Sequence, residues 1–275
     1  MNFIGVMQGR LSPRPYPKLQ AFPWATWEDE FHKAKDYGYD AIEWLFEADD
    51  YKNNPIWISD GRNRIQELIN ENEVYVNTLC ADYFMEHPFY RVQDKEREES
   101  IEVLKELIEK AAEIGVQTIL IPVLESSELR SQNEYEELKY SLKACAQIAG
   151  NKCVKLGIET ELPAKEYLKL IEYIGDANIG AYYDTGNSAA RGYNMRQDME
   201  ILKNVLVGVH IKDRKVGSVS VPIGTGDANF KEGIPYLIES GYLGGFVLQY
   251  FYDNNPISTA VSSLAYIKNK LSHEL

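Results

Sequence analysis

Short apolar runs alternate with longer helix-patterned segments along the whole of this 275-residue chain. That alternation predicts a parallel sheet whose strands are joined by crossover helices. Eight strand candidates can be marked: 3–7, 40–45, 74–79, 117–122, 155–160, 179–184, 205–211 and 245–250. The strongest helix signal falls over 94–114, where Ile101, Leu104, Leu107, Ile108, Ala111 and Ile114 recur on one face and Gly115 follows at the stop. Thr26 with Asp29 reads as the N-terminal cap of a helix ending at Gly38. Further helix candidates span 61–71, 133–149, 163–174, 230–240 and 256–270, with a weaker one at 195–204; 8–25 and 46–60 read as long loops. No linker, charge block or repeat divides the chain, so eight βα units predict a single-domain (β/α)8 TIM barrel over 1–275. A doubly wound sheet is the alternative, and the lack of a glycine-rich first turn counts against its dinucleotide-binding form.

Composition narrows the function classes. Lys plus Arg number 29 against 42 Asp plus Glu, a net charge of −13, and a field of that sign opposes binding to nucleic acid. A local cluster of basic side chains can still receive a small phosphorylated substrate. No apolar run approaches the roughly 18 residues that span a bilayer, and no secretory signal is visible, so no membrane partner is expected. Cys80, Cys145 and Cys153 form no CxxC and no paired framework, which predicts a reducing, cytoplasmic setting.

Four polar residues close apolar runs: Glu159 in LGIE, Asp184 in IGAYYD, His210 in VLVGVH and Gln249 in FVLQ. In a barrel these would come from strands five to eight, whose neighbouring ends lie about 5 Å apart. Three oxygen donors and one nitrogen suit one divalent metal ion, Mn, Mg, Co, Fe or Zn. Any one of them alone reads first as a structural residue, a cap or a turn, and Asp184 is placed to cap a following helix. Four on consecutive strand ends favour the metal. Strand alternation puts Lys212 on the same side as His210, toward a pocket. Asn187 is placed to hydrogen-bond a substrate hydroxyl, and Gln8 and Glu43 are expected on the far rim of the same mouth. Arg10, Arg14, Arg91 and Arg214 are candidates to hold a phosphate, each also readable as an ordinary solvated charge; the GTG at 224–226 reads first as the turn into helix seven, with its backbone amides as a second candidate for the phosphate. Trp44, Tyr83, Phe84 and Tyr250 sit where a ring face would stack on a sugar, and core packing or rim filling explains each of them equally well.

The motifs MQGRLSP at 7–13, IEW at 42–44, IET at 158–160, YYDTGN at 182–187, VHIKDR at 209–214 and GTGDANF at 224–230 carry a resemblance spanning essentially the whole chain. It resembles the xylose isomerase-like TIM barrel superfamily, and within it the sugar-phosphate isomerase/epimerase group. The resemblance implies that Glu159, Asp184 and His210 bind a divalent metal with residue 249, and that Lys212 faces the pocket. It implies a carbohydrate substrate, Glu159 as a catalytic base, and dimers or tetramers as common assemblies. Epimerases of the group use two Glu residues on opposite faces of the substrate, and Gln249 stands where the second would be. An amide is not a base at any accessible pH. The sequence therefore ranks isomerisation ahead of epimerisation, through a metal-bound enediolate with Glu159 as single base or through a hydride shift. Otherwise Glu43, Asp82 or Lys212 supplies the second acid or base. The competing readings are an inosose dehydratase-like lyase and a non-catalytic sugar-binding barrel. The family's apurinic endonuclease branch is disfavoured by the net charge and the single strand-end histidine.

Overall fold

The structure, a computed structural model, describes residues 2–14, 18, 20–252 and 256–272. Eight parallel strands form a closed barrel: β1 (Ile4–Met7), β2 (Ala41–Leu45), β3 (Tyr75–Cys80), β4 (Thr118–Pro122), β5 (Lys155–Glu159), β6 (Ile179–Asp184), β7 (Leu206–Ile211) and β8 (Phe246–Leu248). Each pairs with its neighbours in sequence, and β8 closes on β1 through Ile4 opposite Phe246. All eight expected strands are present, and the fold class is the expected (β/α)8 barrel. β2, β4 and β6 are buried at every residue, as parallel strands covered on both faces must be.

The main helices are α1 (Asp29–Tyr37), α2 (Ser59–Asn72), α3 (Asp94–Glu113), α4 (Gln132–Asn151), α5 (Ala164–Ile174), α6 (Met195–Leu202), α7 (Phe230–Glu239) and α8 (Pro256–Ser272). α3 starts with the Glu96 carboxylate accepting from the Gln93 amide at 2.9 Å and buries Ile101, Leu104, Leu107, Ile108 and Ala111 on one face. α1 ends where expected, at Gly38 with φ 86°, a conformation that costs glycine little. Its start differs. Thr26 does not cap it, because its hydroxyl is taken by Ser12 at 2.7 Å, and the cap position is Glu28 without a side-chain bond. The weak helix candidate is real, since Asn194 caps α6 by accepting from the Gln197 amide. After β7 the chain adds an unexpected antiparallel ribbon, Asp213–Arg214 against Ser220–Val221.

One side chain organises the barrel interior. Tyr182 of β6 crosses to β2, and its hydroxyl donates to Glu43 Oε2 at 2.6 Å. The ring has room because β7 carries Gly208 beside it, where an added Cβ would lie 2.3 Å from the Tyr182 ring. Gly157 of β5 leaves a second gap on the same ring. Among the described residues no helix is long and apolar enough to cross a membrane. Cys80 and Cys145 are buried, Cys153 is exposed, and all three are free thiols.

Candidate active site

Glu159, Asp184 and His210 end or nearly end β5, β6 and β7, and Asp184 and His210 are direct register partners. Neighbouring parallel strands with matched polar residues put three ligand atoms, one from each, within 4.8 Å of one another. All three residues are buried. Asp184 takes its expected capping role with one oxygen and leaves the other out of it. Its Oδ1 accepts from the Gly186 and Asn187 amides at 2.7 and 2.8 Å and so caps the short helix Thr185–Ala190. Its Oδ2 has no hydrogen-bond partner.

His210 is divided in the same way. Nε2 lies 2.5 Å from Glu43 Oε1, while Nδ1 is buried without a partner, 3.7 Å from Glu159 Oε1 and 4.0 Å from Asp184 Oδ2. A carboxylate on Nε2 leaves the Nδ1 lone pair pointing at the other two carboxylates whenever the ring is neutral. Orphaned buried polar atoms are rare and call for an explanation, and these converge on one point. The donor set of two carboxylates and an imidazole fits a divalent cation of the borderline class.

The charges are strongly coupled. Burial alone lowers the His210 pKa, but the charges of Glu43 and Glu159 outweigh it and raise the ring to about 10. Burial raises Glu159 to about 7, with Asp184 adding to the rise and His210 opposing it. Burial also works against the Asp184 carboxylate, yet Lys212 and His210 hold it below its ordinary value. Without a cation, a proton on His210 therefore balances the carboxylates.

Above this cluster opens a cavity of about 500 Å³. Glu159, Asn187, Lys212, Arg214 and Gln249 all line it. Asn187 Nδ2 donates to Glu159 at 3.3 Å, and its Oδ1 receives Arg214 Nη1 at 3.1 Å and Lys212 Nζ at 3.5 Å. Lys212 also stands 3.6 Å from Asp184 Oδ2. Gln249 follows β8 directly, with Oε1 buried and unpartnered and Nε2 donating to Gln20 at 3.2 Å.

Several expectations are corrected. Glu43 is not on the rim; it is 0% exposed inside the barrel, beneath His210. Gln8 is buried too, its Oε1 receiving the Leu45 amide, and neither residue lines the cavity. Arg91 lies elsewhere, bonded to the Ser126 and Glu128 carbonyls. The Gly224 and Gly226 amides bond Asp213 Oδ2, so the GTG shapes its turn, the reading put first from the sequence, and offers no phosphate cradle. Trp44, Tyr83 and Phe84 pack in aromatic clusters, whereas Tyr250 does line the cavity. Sequence reasoning missed Tyr182 and Gln20. The glycines at 157 and 208 were the available signal for Tyr182; Gln20 left none.

Residues 31–270 match the xylose isomerase-like TIM barrel family. The chain belongs to that family. L-ribulose-5-phosphate 3-epimerase UlaE of Escherichia coli is 23% identical over 256 residues, covering 90% of each chain. The barrel is also similar to the structure of an L-ribulose 3-epimerase, with a TM-score of 0.80, 16% identity, and coverage of 100% of this chain and 96% of that one. D-psicose 3-epimerase from Clostridium cellulolyticum gives a TM-score of 0.77 at 14% identity, covering 98% and 99%. The family match agrees with the strand-end motifs, whose closing residues form the buried cluster.

Proposed function

We propose that this member of the family is a divalent-metal-dependent epimerase or isomerase of a ketose phosphate. The observation that carries the reading is the convergence of His210 Nδ1 and Asp184 Oδ2, neither with a hydrogen-bond partner, with Glu159 at the foot of the cavity. Glu159, Asp184 and His210 would hold the ion, with the free Gln249 Oε1 as a fourth donor. A bound dication would polarise a carbonyl and its neighbouring hydroxyl, which acidifies the C–H bond of the hydroxyl-bearing carbon. Glu159 would take that proton, since it lines the cavity beside the other two donors. Asn187 and Lys212 orient substrate hydroxyls beside it.

The arginines support a phosphorylated substrate. Of ten arginines, seven pair with a carboxylate: Arg62, Arg64, Arg91, Arg97, Arg130, Arg191 and Arg196. The other three, Arg10, Arg14 and Arg214, have no ion pair among the described residues, and all three line the cavity. Arg10 is only 6% exposed, with Nε and Nη1 unpartnered. A buried guanidinium without a counter-charge is costly, and an anionic ligand would relieve it. The names of the relatives agree, since one acts on a ketose phosphate and others on ketoses.

The test is proton NMR in D₂O on ketoses and ketose phosphates, with and without a chelator. The expected result is loss of the proton beside the carbonyl, on a phosphorylated ketose, stopped by the chelator. Absence of exchange on every substrate would overturn the reading, and a product lighter by one water would replace it with the lyase.

A further inference from the structure

Epimerisation needs a second group to return a proton to the face opposite Glu159, and the amide at 249 cannot do it. The cavity wall holds few alternatives. The Tyr250 and Tyr252 hydroxyls are donated to the carbonyls of Arg10 and Gly9. Lys212 is held between Asp184 and Asn187. Glu125 is exposed on the outer lip. The Cys80 thiol is pushed well above its ordinary pKa by burial and by the neighbouring carboxylates. Asp82 remains.

Its surroundings are built to hold it. Asp82 Oδ1 accepts from Cys80 Sγ at 3.1 Å and Oδ2 from Gln20 Nε2 at 2.6 Å. Arg10 Nη2 and Gln249 Nε2 both donate to Gln20 Oε1, each at 3.2 Å. A guanidinium only donates, so the Gln20 atom facing Arg10 must be oxygen, and its amide nitrogen must then face Asp82. The same logic reaches Gln249. Opposite Gln20 Oε1 a donor is required, which an amide supplies and an ionised carboxylate does not. The amide at 249 and the carboxyl at 82 are thus two ends of one directed chain.

We propose that Asp82 is the second catalytic acid–base residue of this cavity, oriented by Arg10 through Gln20, in place of a carboxylate at 249. The assignment rests on the epimerase reading above. In the step, Glu159 takes the proton from the carbon beside the carbonyl, and the C–H electron pair passes into the conjugated sugar enediolate. The Asp82 O–H then protonates that carbon on its other face, leaving Asp82 as carboxylate and Glu159 as acid; exchange with water restores both. Burial, which raises the Asp82 pKa, favours the protonated form that the step uses.

The assay follows carbon-bound deuterium incorporation and stereochemical inversion together, in D₂O with metal-loaded protein. The probes are L-ribulose 5-phosphate and, as an unphosphorylated arm, D-tagatose. Asp82→Asn is expected to keep exchange within about tenfold while inversion falls about 10²- to 10⁴-fold, the usual loss for an acid–base group. Asp82→Glu restores part of the inversion. Gln249→Glu, which sets an acceptor against Gln20, lowers inversion. Inversion undiminished in Asp82→Asn, or raised in Gln249→Glu, overturns the assignment alone. So does wild-type exchange without inversion, or loss of both signals in a folded Asp82→Asn whose Asp82→Glu counterpart keeps both. No exchange in the wild type overturns the functional reading and this assignment with it.

Discussion

Glu43 Oε1 lies 2.5 Å from His210 Nε2, both side chains wholly buried, so the imidazole is oriented from inside the barrel rather than from the mouth. Tyr182 donates to the other oxygen of the same carboxylate. The carboxylate therefore has a donor on each oxygen, and its partner nitrogen is fixed as the one that carries a proton.

Glu43→Gln should weaken divalent-metal binding by about 10- to 100-fold, the usual cost of losing a carboxylate behind a ligating histidine. The amide can present its nitrogen to Nε2 and so reverse the tautomer, placing a proton on Nδ1 where the ion would bind. Calorimetric titration of metal into chelator-stripped protein checks this. Equal affinities in the two proteins would show that Glu43 is only a structural partner of Tyr182.

Glu159 makes the stability of the metal-free protein depend on pH. Its native pKa of about 7 lies above the 4.5 of the free side chain. The native state thus holds the proton more tightly, a stabilisation fully present below pH 4.5 and lost as pH rises through 7. Above that, the buried carboxylate costs up to about 3 kcal/mol, taking 1.36 kcal/mol per unit. Glu159→Gln should raise the melting temperature of metal-free protein at pH 8, with the gap closing toward pH 4.5. Added metal should reverse the order, because it stabilises the wild type more. Thermal melts across pH, with and without chelator, decide it; a gap independent of pH would contradict the assignment.

The fold was legible because buried parallel strands read as continuous apolar runs, and the three clustered residues because a polar side chain closing such a run marks a strand end. Glu43 was misplaced for a related reason. It sits mid-strand in AIEWL, where every residue is buried and alternation gives no contrast between inside and outside. Its contacts with Tyr182, whose crossing Gly208 admits, and with His210 show that it faces the barrel axis. Asp82 appeared among several alternatives; what distinguishes it is Gln20, from a loop without periodicity, whose position depends on tertiary contacts with Arg10 and Gln249.

Gly208→Ala should cost about 1–3 kcal/mol of stability, the range for overpacking a filled core. The new methyl would meet the Tyr182 ring at 2.3 Å, and the ring is held at its far end by Glu43. Displacing it would disturb Glu43 and through it His210, so metal affinity should fall together with stability. Denaturant unfolding and metal titration on the same variant test the link. Lost stability with unchanged metal affinity would show that the interior absorbs the methyl without moving Glu43.

The unpaired arginines divide into two roles that mutation can separate. Arg14 is exposed and lines the cavity, so Arg14→Gln should raise KM for a phosphorylated ketose by about 10-fold, one charge-assisted contact, with kcat little changed. Arg10 also fixes the direction of Gln20, so Arg10→Met should raise KM and lower kcat together. Met keeps much of the aliphatic stem while removing the guanidinium, whose central carbon lies 4.3 Å from the centre of the Tyr252 ring. Because two guanidinium nitrogens are buried without partners, ligand-free Arg10→Met should melt no lower than the wild type. Inorganic phosphate should stabilise the wild type and not the variant. An unphosphorylated ketose should show the kcat loss in Arg10→Met and no effect in Arg14→Gln. Equal KM changes for phosphorylated and unphosphorylated substrates would mean that these arginines do not read a phosphate.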